Sequence, residues 1–190
     1  MKNKNKGAVG IIAVIAVVVV LAIFFGGQWN KLVKLDEDVN GAWAQVQNQV
    51  KRRADLIPNI VETVKGYASH EKETFTEITK ARAGVNEAST PKELAEANDN
   101  LTEAISRLNV VVENYPELKA NQNFLDLQAQ LEGTENRIAT ERMRYNDTVK
   151  LYNQKVRRFP TAIIAKILGF GPRDYFEVSE KDNQVPEVKF

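Results

Sequence analysis

The residue types that most often perform chemistry are scarce in this sequence. The chain has no cysteine and a single histidine, His70, which lies among charged neighbours. The lack of cysteine excludes thiolate nucleophiles, iron–sulfur clusters, cysteine-ligated zinc and a lipidated cysteine anchor. A di-iron bundle needs two Glu-x-x-His motifs, whereas the residue three positions before His70 is Tyr67. We therefore predict no metal site and no cofactor, and interpret His70 as a surface or capping residue.

The sequence contains no recognisable catalytic constellation either. Nucleophilic catalysis needs a nucleophile, a base and an orienting group within reach of one another, and one histidine offers no such set. Gly169 and Gly171 are too few for a phosphate-cradling loop. A Ser–Lys or two-carboxylate site stays open on sequence alone. The sequence favours a protein that is not an enzyme and has no small-molecule substrate.

Charged residues at positions that a helical bundle would bury are the most informative polar feature. Arg53 interrupts an apolar heptad series, and Glu135 and Arg142 lie on an otherwise apolar helix face. A buried charge is costly unless it is paired and hydrogen-bonded. We predict that Arg53, or its neighbour Arg52, pairs across the bundle with Glu135 or Asp55 and fixes helix register. The alternative is a surface position, where an ion pair contributes little.

Two groups of residues are candidates for structural or partner-binding roles. The first group lies near the predicted helix kink at Pro58 and on a polar face of the predicted bundle: Arg52, Arg53, Asp55, Pro58, Asn59, Glu135, Arg142, Tyr145 and Asn146. The second is a tail motif in which apolar and charged residues alternate before the final carboxylate: Pro186, Val188 and Phe190. Such a tail can add as a strand to the edge of a partner's sheet. The alternative is an unstructured end.

Heptad periodicity predicts the first helix that would hold these residues. Two interleaved series run along it: Leu32, Val39, Val46, Arg53, Ile60, Tyr67 and Asp36, Trp43, Val50, Ile57, Val64. Their phase continues to Val85. Because the series crosses Pro58 without a change of phase, we predict one long, kinked helix. The alternative is a break just before the proline.

Further helices complete the predicted fold. Thr90, Pro91 and Glu93 are typical of a capped helix start. A last helix, ended by Pro160, is indicated by residues that recur every seven positions: Phe124, Leu131, Ile138, Tyr145, Tyr152 and Phe159. We predict an all-α fold, an antiparallel three- or four-helix up-down bundle with long, kinked helices, preceded by one transmembrane helix.

The N-terminal region predicts a membrane anchor. Residues 8–25 contain no charged or polar side chain, and 18 such residues are near the lower limit for a spanning helix. A cleaved signal peptide is the alternative, but the sequence lacks its small-residue cleavage pattern. Lys2, Lys4 and Lys6 favour an N-terminus in the cytoplasm and a domain on the outer side of the cytoplasmic (inner) membrane.

These assignments divide the chain into four regions, and its charge limits the partners. The regions are a basic flank (1–7), the anchor (8–25), a helical-bundle domain (28–168) and a polar tail (169–190). The net charge is +1, and without the three lysines of the flank the chain carries 23 basic and 25 acidic residues. Nucleic-acid binders usually carry a basic excess on the folded part. We therefore predict no nucleic-acid partner.

Three blocks of sequence resemble the LemA family. They are RRADLIPNIVETVKGYASHEKETF (52–75), ENYPELKANQNFLDLQAQLEGTENRIATERMRYND (113–147) and YNQKVRRFP (152–160), and the resemblance extends from the anchor to about residue 176. It implies a bacterial membrane protein with one N-terminal helix and an antiparallel helical bundle. Members are often found beside a membrane-bound zinc metalloprotease, and a relative takes part in building magnetosome membranes. The resemblance leaves the biochemical role open.

Two functional hypotheses follow from these observations. The first is a membrane-anchored scaffold or adaptor that binds another membrane or envelope protein, such as a membrane metalloprotease in membrane-protein quality control. The second is a self-assembling homo-oligomer that organises or remodels membranes. In that case TAIIAKILGF (161–170) could lie in the membrane interface as a second membrane contact.

Overall fold

A computed structural model of the chain describes the backbone of residues 4–177 and the side chains of residues 10–177. Within that range the chain forms six helices: α1 (Lys4–Lys65), α2 (Lys72–Glu87), α3 (Pro91–Val112), α4 (Pro116–Lys119), α5 (Gln122–Arg157) and α6 (Thr161–Ile167). The described residues contain no strand, so the predicted all-α class is confirmed. The tail motif of Pro186, Val188 and Phe190 lies outside the described residues.

Helix α1 is continuous through Pro58, as predicted. It ends at Lys65, and residues 66–71 turn the chain before α2. Val85, to which the heptad phase is predicted to continue, is buried as expected but belongs to α2 and not to the first helix. Tyr67, which the sequence places in the buried series, is 41% exposed. It lies beyond the end of α1, where its hydroxyl accepts a hydrogen bond of 3.0 Å from Asn121 Nδ2.

The N-terminal part of α1 has the properties of a membrane-spanning helix. From Gly10 onward it is long and apolar enough to cross a membrane, with a mean hydropathy of 2.9 over an 18-residue window. No part of that window is buried by protein. A helix that is apolar on all sides needs an apolar environment. We therefore assign this part of α1 as a single membrane anchor.

The described chain separates into two compact units. Of the described residues, unit 1 comprises 4–40 and 148–173, and unit 2 comprises 41–147 and 174–177. In unit 1 the heptad residues of α1 and α5 supply the core, together with the inner side of α6: Leu32, Val39, Val149, Tyr152, Val156, Ile164 and Ala165. Phe159 was predicted to continue this buried series but is 78% exposed. The reason is that α5 ends two residues earlier, at Arg157.

Unit 2 buries apolar residues from α1, α2, α3 and α5. The largest side chains that are almost fully buried there include Ile57, Ile60, Ile78, Leu101, Leu108, Phe124 and Ile138. The predicted capping box starts α3: Thr90 Oγ1 accepts from the Glu93 amide at 3.2 Å, and Glu93 Oε2 accepts from the Thr90 amide at 3.1 Å. These bonds satisfy amides that a helix start leaves without partners, so the start of α3 is fixed by its own sequence.

Candidate functional site

Arg53 is a charged residue in the core of unit 2. It occupies the same heptad series as Val46 and Ile60 and is only 4% exposed. Its Nη1 donates to Asn98 Oδ1 at 3.2 Å and to Thr102 Oγ1 at 2.8 Å, both on α3. The same nitrogen forms an ion pair with Glu135 on α5. The predicted pairing of Arg53 with Glu135 therefore forms, and it joins three helices of unit 2.

The electrostatic environment of Arg53 reflects two opposing effects. Burial lowers the pKa of its guanidinium from its ordinary value, and the nearby charge of Glu135 acts in the opposite direction. Glu135 keeps 42% of its side chain exposed, so only one member of the pair is fully removed from solvent. Among the described residues, Arg53 Nε and Asn109 Oδ1 are buried without a hydrogen-bond partner. An unpaired buried polar atom costs free energy, so a further hydrogen bond at either of these atoms would be stabilising.

These atoms border an open groove, which we call the Arg53 groove. Its volume is about 350 Å³. Two of its lining residues are apolar, Ile105 and Leu131, and the others carry amide, hydroxyl, carboxylate or guanidinium groups: Arg53, Thr102, Ser106, Asn109, Gln128, Glu132, Glu135 and Asn136. The groove therefore presents many hydrogen-bonding groups above an ion pair.

The other residues of the first predicted group are placed differently. Arg52, Asp55, Pro58 and Asn59 are exposed, and Arg142 is half-buried. Neither Arg52 nor Asp55 takes the place of Arg53 or Glu135 in the ion pair. A partner-binding role for these exposed residues stays a prediction.

Pro58 leaves one backbone carbonyl without its helical donor, and the side chain of Arg82 donates to that carbonyl instead. In a regular helix the amide of residue 58 would donate to the carbonyl of Ala54, but proline has no N–H. Arg82 Nε, from α2, donates to that carbonyl oxygen at 3.2 Å. Ala54 is 1% exposed, so solvent has little access to this position. Sequence analysis missed Arg82, because a proline shows only that a donor is lost.

This arrangement predicts that the effects of changing Pro58 and Arg82 are coupled. Arg82→Met should lower the free energy of unfolding by about 1–2 kcal/mol in the natural chain, since it leaves a buried carbonyl unpaired. In a Pro58→Ala background the loss should be less than half as large, because residue 58 then has an amide to donate to Ala54. A double-mutant cycle from urea unfolding measures the coupling. Strictly additive effects would show that Arg82 does not compensate for the proline.

Tyr145 and Asn146, also predicted site residues, hold the chain that follows α6. Asn146 Nδ2 donates to the carbonyl of Phe176 at 3.0 Å, and the Phe176 amide donates back to Asn146 Oδ1 at 2.9 Å. The Tyr145 hydroxyl donates to the carbonyl of Asp174 at 2.8 Å. Trp43 packs against the rings of Tyr145 and Phe176, with centroid distances of 5.5 and 6.3 Å. We call this set the Phe176 clamp, and it lies within unit 2.

Unit 1 contains a second asparagine with the same bonding pattern. Asn153 Nδ2 donates to the carbonyl of Arg173, and the Arg173 amide donates to Asn153 Oδ1, both at 2.8 Å. The Arg173 side chain donates to Asp36 Oδ1 from Nη2 at 2.8 Å. This hydrogen bond raises the pKa of Arg173. Burial raises the pKa of the Tyr152 hydroxyl, and the charge of Asp36 adds to that shift. Sequence analysis missed this site, although Asp36, a charged residue in an apolar series, indicates that a partner is needed at its position.

Residues suited to metal binding are not grouped in the part of the chain that the structure describes. No cluster of three or more histidine, cysteine, aspartate or glutamate side chains there could hold an ion. His70 is exposed and lies in the turn between α1 and α2. The Arg53 groove combines buried polar groups with an opening at the surface.

Comparison with known proteins identifies the family. The profile of the LemA family matches residues 42–190. A protein named LemA from Metamycoplasma hominis is 27% identical over 158 residues, covering 81% of this chain and 71% of that protein. Magnetosome protein MamQ 2 from Paramagnetospirillum magneticum is 26% identical, covering 90% and 72% of the two chains, and the MamQ of Magnetospirillum gryphiswaldense is 23% identical, covering 89% and 70%. None of these names denotes an enzyme. This chain belongs to the LemA family.

Proposed function

We propose that this LemA-family protein is a membrane-anchored adaptor whose unit 2 binds another membrane or envelope protein. The Arg53 groove carries the proposal. It exposes a row of polar side chains on the helices of unit 2, and at its base lies a buried arginine whose Nε has no partner among the described residues. A partner that inserts a carbonyl or carboxylate oxygen into the groove would supply the acceptor that this donor lacks.

The lining of the groove favours a protein partner over a small molecule. Small-molecule sites are predominantly apolar, with a few polar groups that fix orientation, whereas only Ile105 and Leu131 are apolar here. Polar surfaces of this kind suit the backbone and side chains of a second protein, with water filling the imperfect contacts. The resemblance to the family points to a membrane metalloprotease of membrane-protein quality control as the first partner to test.

The proposed topology places this partner near the membrane. With three lysines before the apolar run, the N-terminus lies in the cytoplasm and the helical units lie on the outer side of the inner membrane. A single anchor restricts the protein to the bilayer surface. Membrane and envelope proteins on that side are consequently the accessible partners.

Photo-crosslinking in intact cells tests the adaptor proposal. A photoreactive residue replaces Asn136, an exposed residue that lines the groove, or Asn86, an exposed asparagine of α2 outside it. We expect a distinct protein to be captured from position 136 and not from position 86. The same protein should be captured more weakly when Arg53→Met is added, since the buried donor is then absent.

A second version that ends at Asn183 separates the groove from the tail motif. Loss of capture in this version would identify Val188 and Phe190 as part of the partner contact. Unchanged capture would assign binding to the groove alone. Equal capture from positions 86 and 136, or capture only of further copies of this chain, would contradict the adaptor and favour the alternative of a self-assembling, membrane-organising protein.

A further inference from the structure

Helix α6 is apolar on two sides, and its own unit covers only one of them. Thr161, Ile164 and Ala165 are buried. Ile163 and Ile167, which are four residues apart and so share a helix face, are 55% and 76% exposed. A group of large apolar side chains left exposed together indicates an interaction surface. Because Phe159, just before the helix, is also exposed, we define Phe159, Ile163 and Ile167 as the α6 face.

The contacts of α6 within unit 1 locate it next to the end of the membrane-spanning run. The Thr161 hydroxyl donates to Gln28 Oε1 at 3.4 Å, and the ring of Phe170 lies 6.3 Å from that of Trp29. Gln28 and Trp29 follow Phe25, the last residue of the apolar run, by three and four positions. At about 1.5 Å per residue this is roughly 5–6 Å along the helix axis.

This distance corresponds to the polar layer of a bilayer. The hydrocarbon core is about 30 Å thick and the whole bilayer about 40–45 Å, so each headgroup layer is about 5–7 Å deep. Gln28 and Trp29 therefore fall at headgroup depth when the apolar run spans the core. Trp29 is an aromatic residue of the kind enriched at this depth. Thr161, the first residue of α6, and Phe170, which follows the helix, contact them and so lie at the same level of unit 1.

Charge supports lipid over protein as the material that covers the α6 face. The segment Thr148–Arg173 contains six basic residues and no acidic residue: Lys150, Lys155, Arg157, Arg158, Lys166 and Arg173. Arg173 is engaged by Asp36, but Arg158 and Lys166 are exposed beside the α6 face. Basic residues next to an apolar face are typical of helices that bind anionic membranes. Two copies of so basic a segment would repel each other.

We propose that α6 is an interfacial helix that lies on the bilayer crossed by α1. The α6 face inserts at the boundary between headgroups and acyl chains, and Arg158 and Lys166 contact anionic headgroups. This gives unit 1 a second membrane contact besides the anchor. The proposal does not depend on the adaptor function, which concerns residues of unit 2.

Fluorescence quenching on the full chain tests this contact. Because the natural sequence has no cysteine, Ile167→Cys provides one attachment point for an environment-sensitive fluorophore. The protein is reconstituted into phosphatidylcholine vesicles with and without phosphatidylglycerol, which also contain lipids with a quencher high on the acyl chain. Val110→Cys, at an aliphatic position of unit 2 that is 69% exposed, is the matched control.

The expected result is strong quenching by lipid at position 167 and little at position 110. Lys166→Ala should lower the ratio of inserted to free α6 roughly fivefold in anionic vesicles, and by much less in neutral ones. Ile163→Ser should lower that ratio roughly tenfold or more. Ile163 is exposed, so the circular dichroism of this variant should match that of the natural chain.

Two outcomes would overturn the proposal. One is equal, weak quenching by lipid at positions 167 and 110. The other is a label at position 167 that is shielded from aqueous iodide and yet is not quenched by lipid, which would mean that protein covers the α6 face. Energy transfer between labelled copies would then identify the cover as a second copy of this chain.

Discussion

Replacing Arg53 should destabilise the protein strongly or weakly, depending on the side chain that takes its place. Arg53→Ala is expected to lower the free energy of unfolding by about 2–4 kcal/mol, because it removes the buried stem and leaves Asn98 and Thr102 short of a donor. Arg53→Met keeps an apolar stem of similar length and removes a charge that is costly to bury. We expect its effect to be less than about 1.5 kcal/mol.

Urea unfolding of the full chain in lipid nanodiscs, followed by circular dichroism, measures both changes. Arg52→Ala is the control, since Arg52 is the exposed neighbour and a change there should stay within about 0.5 kcal/mol. Small and equal effects of the alanine and methionine substitutions would mean that the buried pair contributes nothing to stability. A large loss with both would mean that Asn98 and Thr102 require the guanidinium itself.

Asn146→Ala is expected to speed hydrogen exchange of the Phe176 amide by roughly 30- to 100-fold, which corresponds to the loss of about 2–3 kcal/mol from the two bonds. The amide of Phe176 donates to Asn146 Oδ1, and the asparagine donates back to the carbonyl. Alanine can make neither bond. The measurement is hydrogen-exchange mass spectrometry of the peptide that contains residue 176. The pH is chosen so that the segment recloses faster than its amides exchange, and the exchange rate then reports the equilibrium constant for opening.

Asn123→Ala is the matched control for this experiment. Asn123 is an exposed asparagine on the same helix, so its replacement should leave exchange at Phe176 unchanged. If Asn146→Ala also leaves exchange unchanged, then packing of Phe176 against Trp43 holds the segment and the amide bonds are incidental. Tyr145→Phe, which removes the bond to the carbonyl of Asp174, should give an intermediate change.

The features that sequence analysis predicted correctly are those that helical periodicity or local chemistry determines. The capping box at Thr90 depends on residues three apart and needs no tertiary structure. The pairing of Arg53 with Glu135 was predictable because a charge at a buried heptad position needs a partner of opposite charge. The neighbouring helix α5 offers few such residues on the face that packs inward. The Arg53 groove as an opening was not predictable, since its shape depends on how three helices pack.

The errors and omissions have a common physical origin in the segments between helices. The turn that begins at Gly66 ends the first helix, although the heptad phase continues by coincidence in α2. The bonds from Asn153 to Arg173 involve a segment with no periodicity, so the sequence gives no signal for its course. Such backbone contacts depend on tertiary structure and leave no spacing rule in the sequence.

The Phe176 clamp also limits where the end of the chain can act. Glu177, the last described residue, follows directly after the clamped Phe176. The 13 residues from 178 to 190 can span at most about 45 Å, even when fully extended. Chain length alone therefore keeps Phe190 within that distance of the clamp. A partner site for the tail must lie within the same distance, and releasing the clamp by Asn146→Ala would lengthen this reach and lower the effective concentration of the tail at such a site.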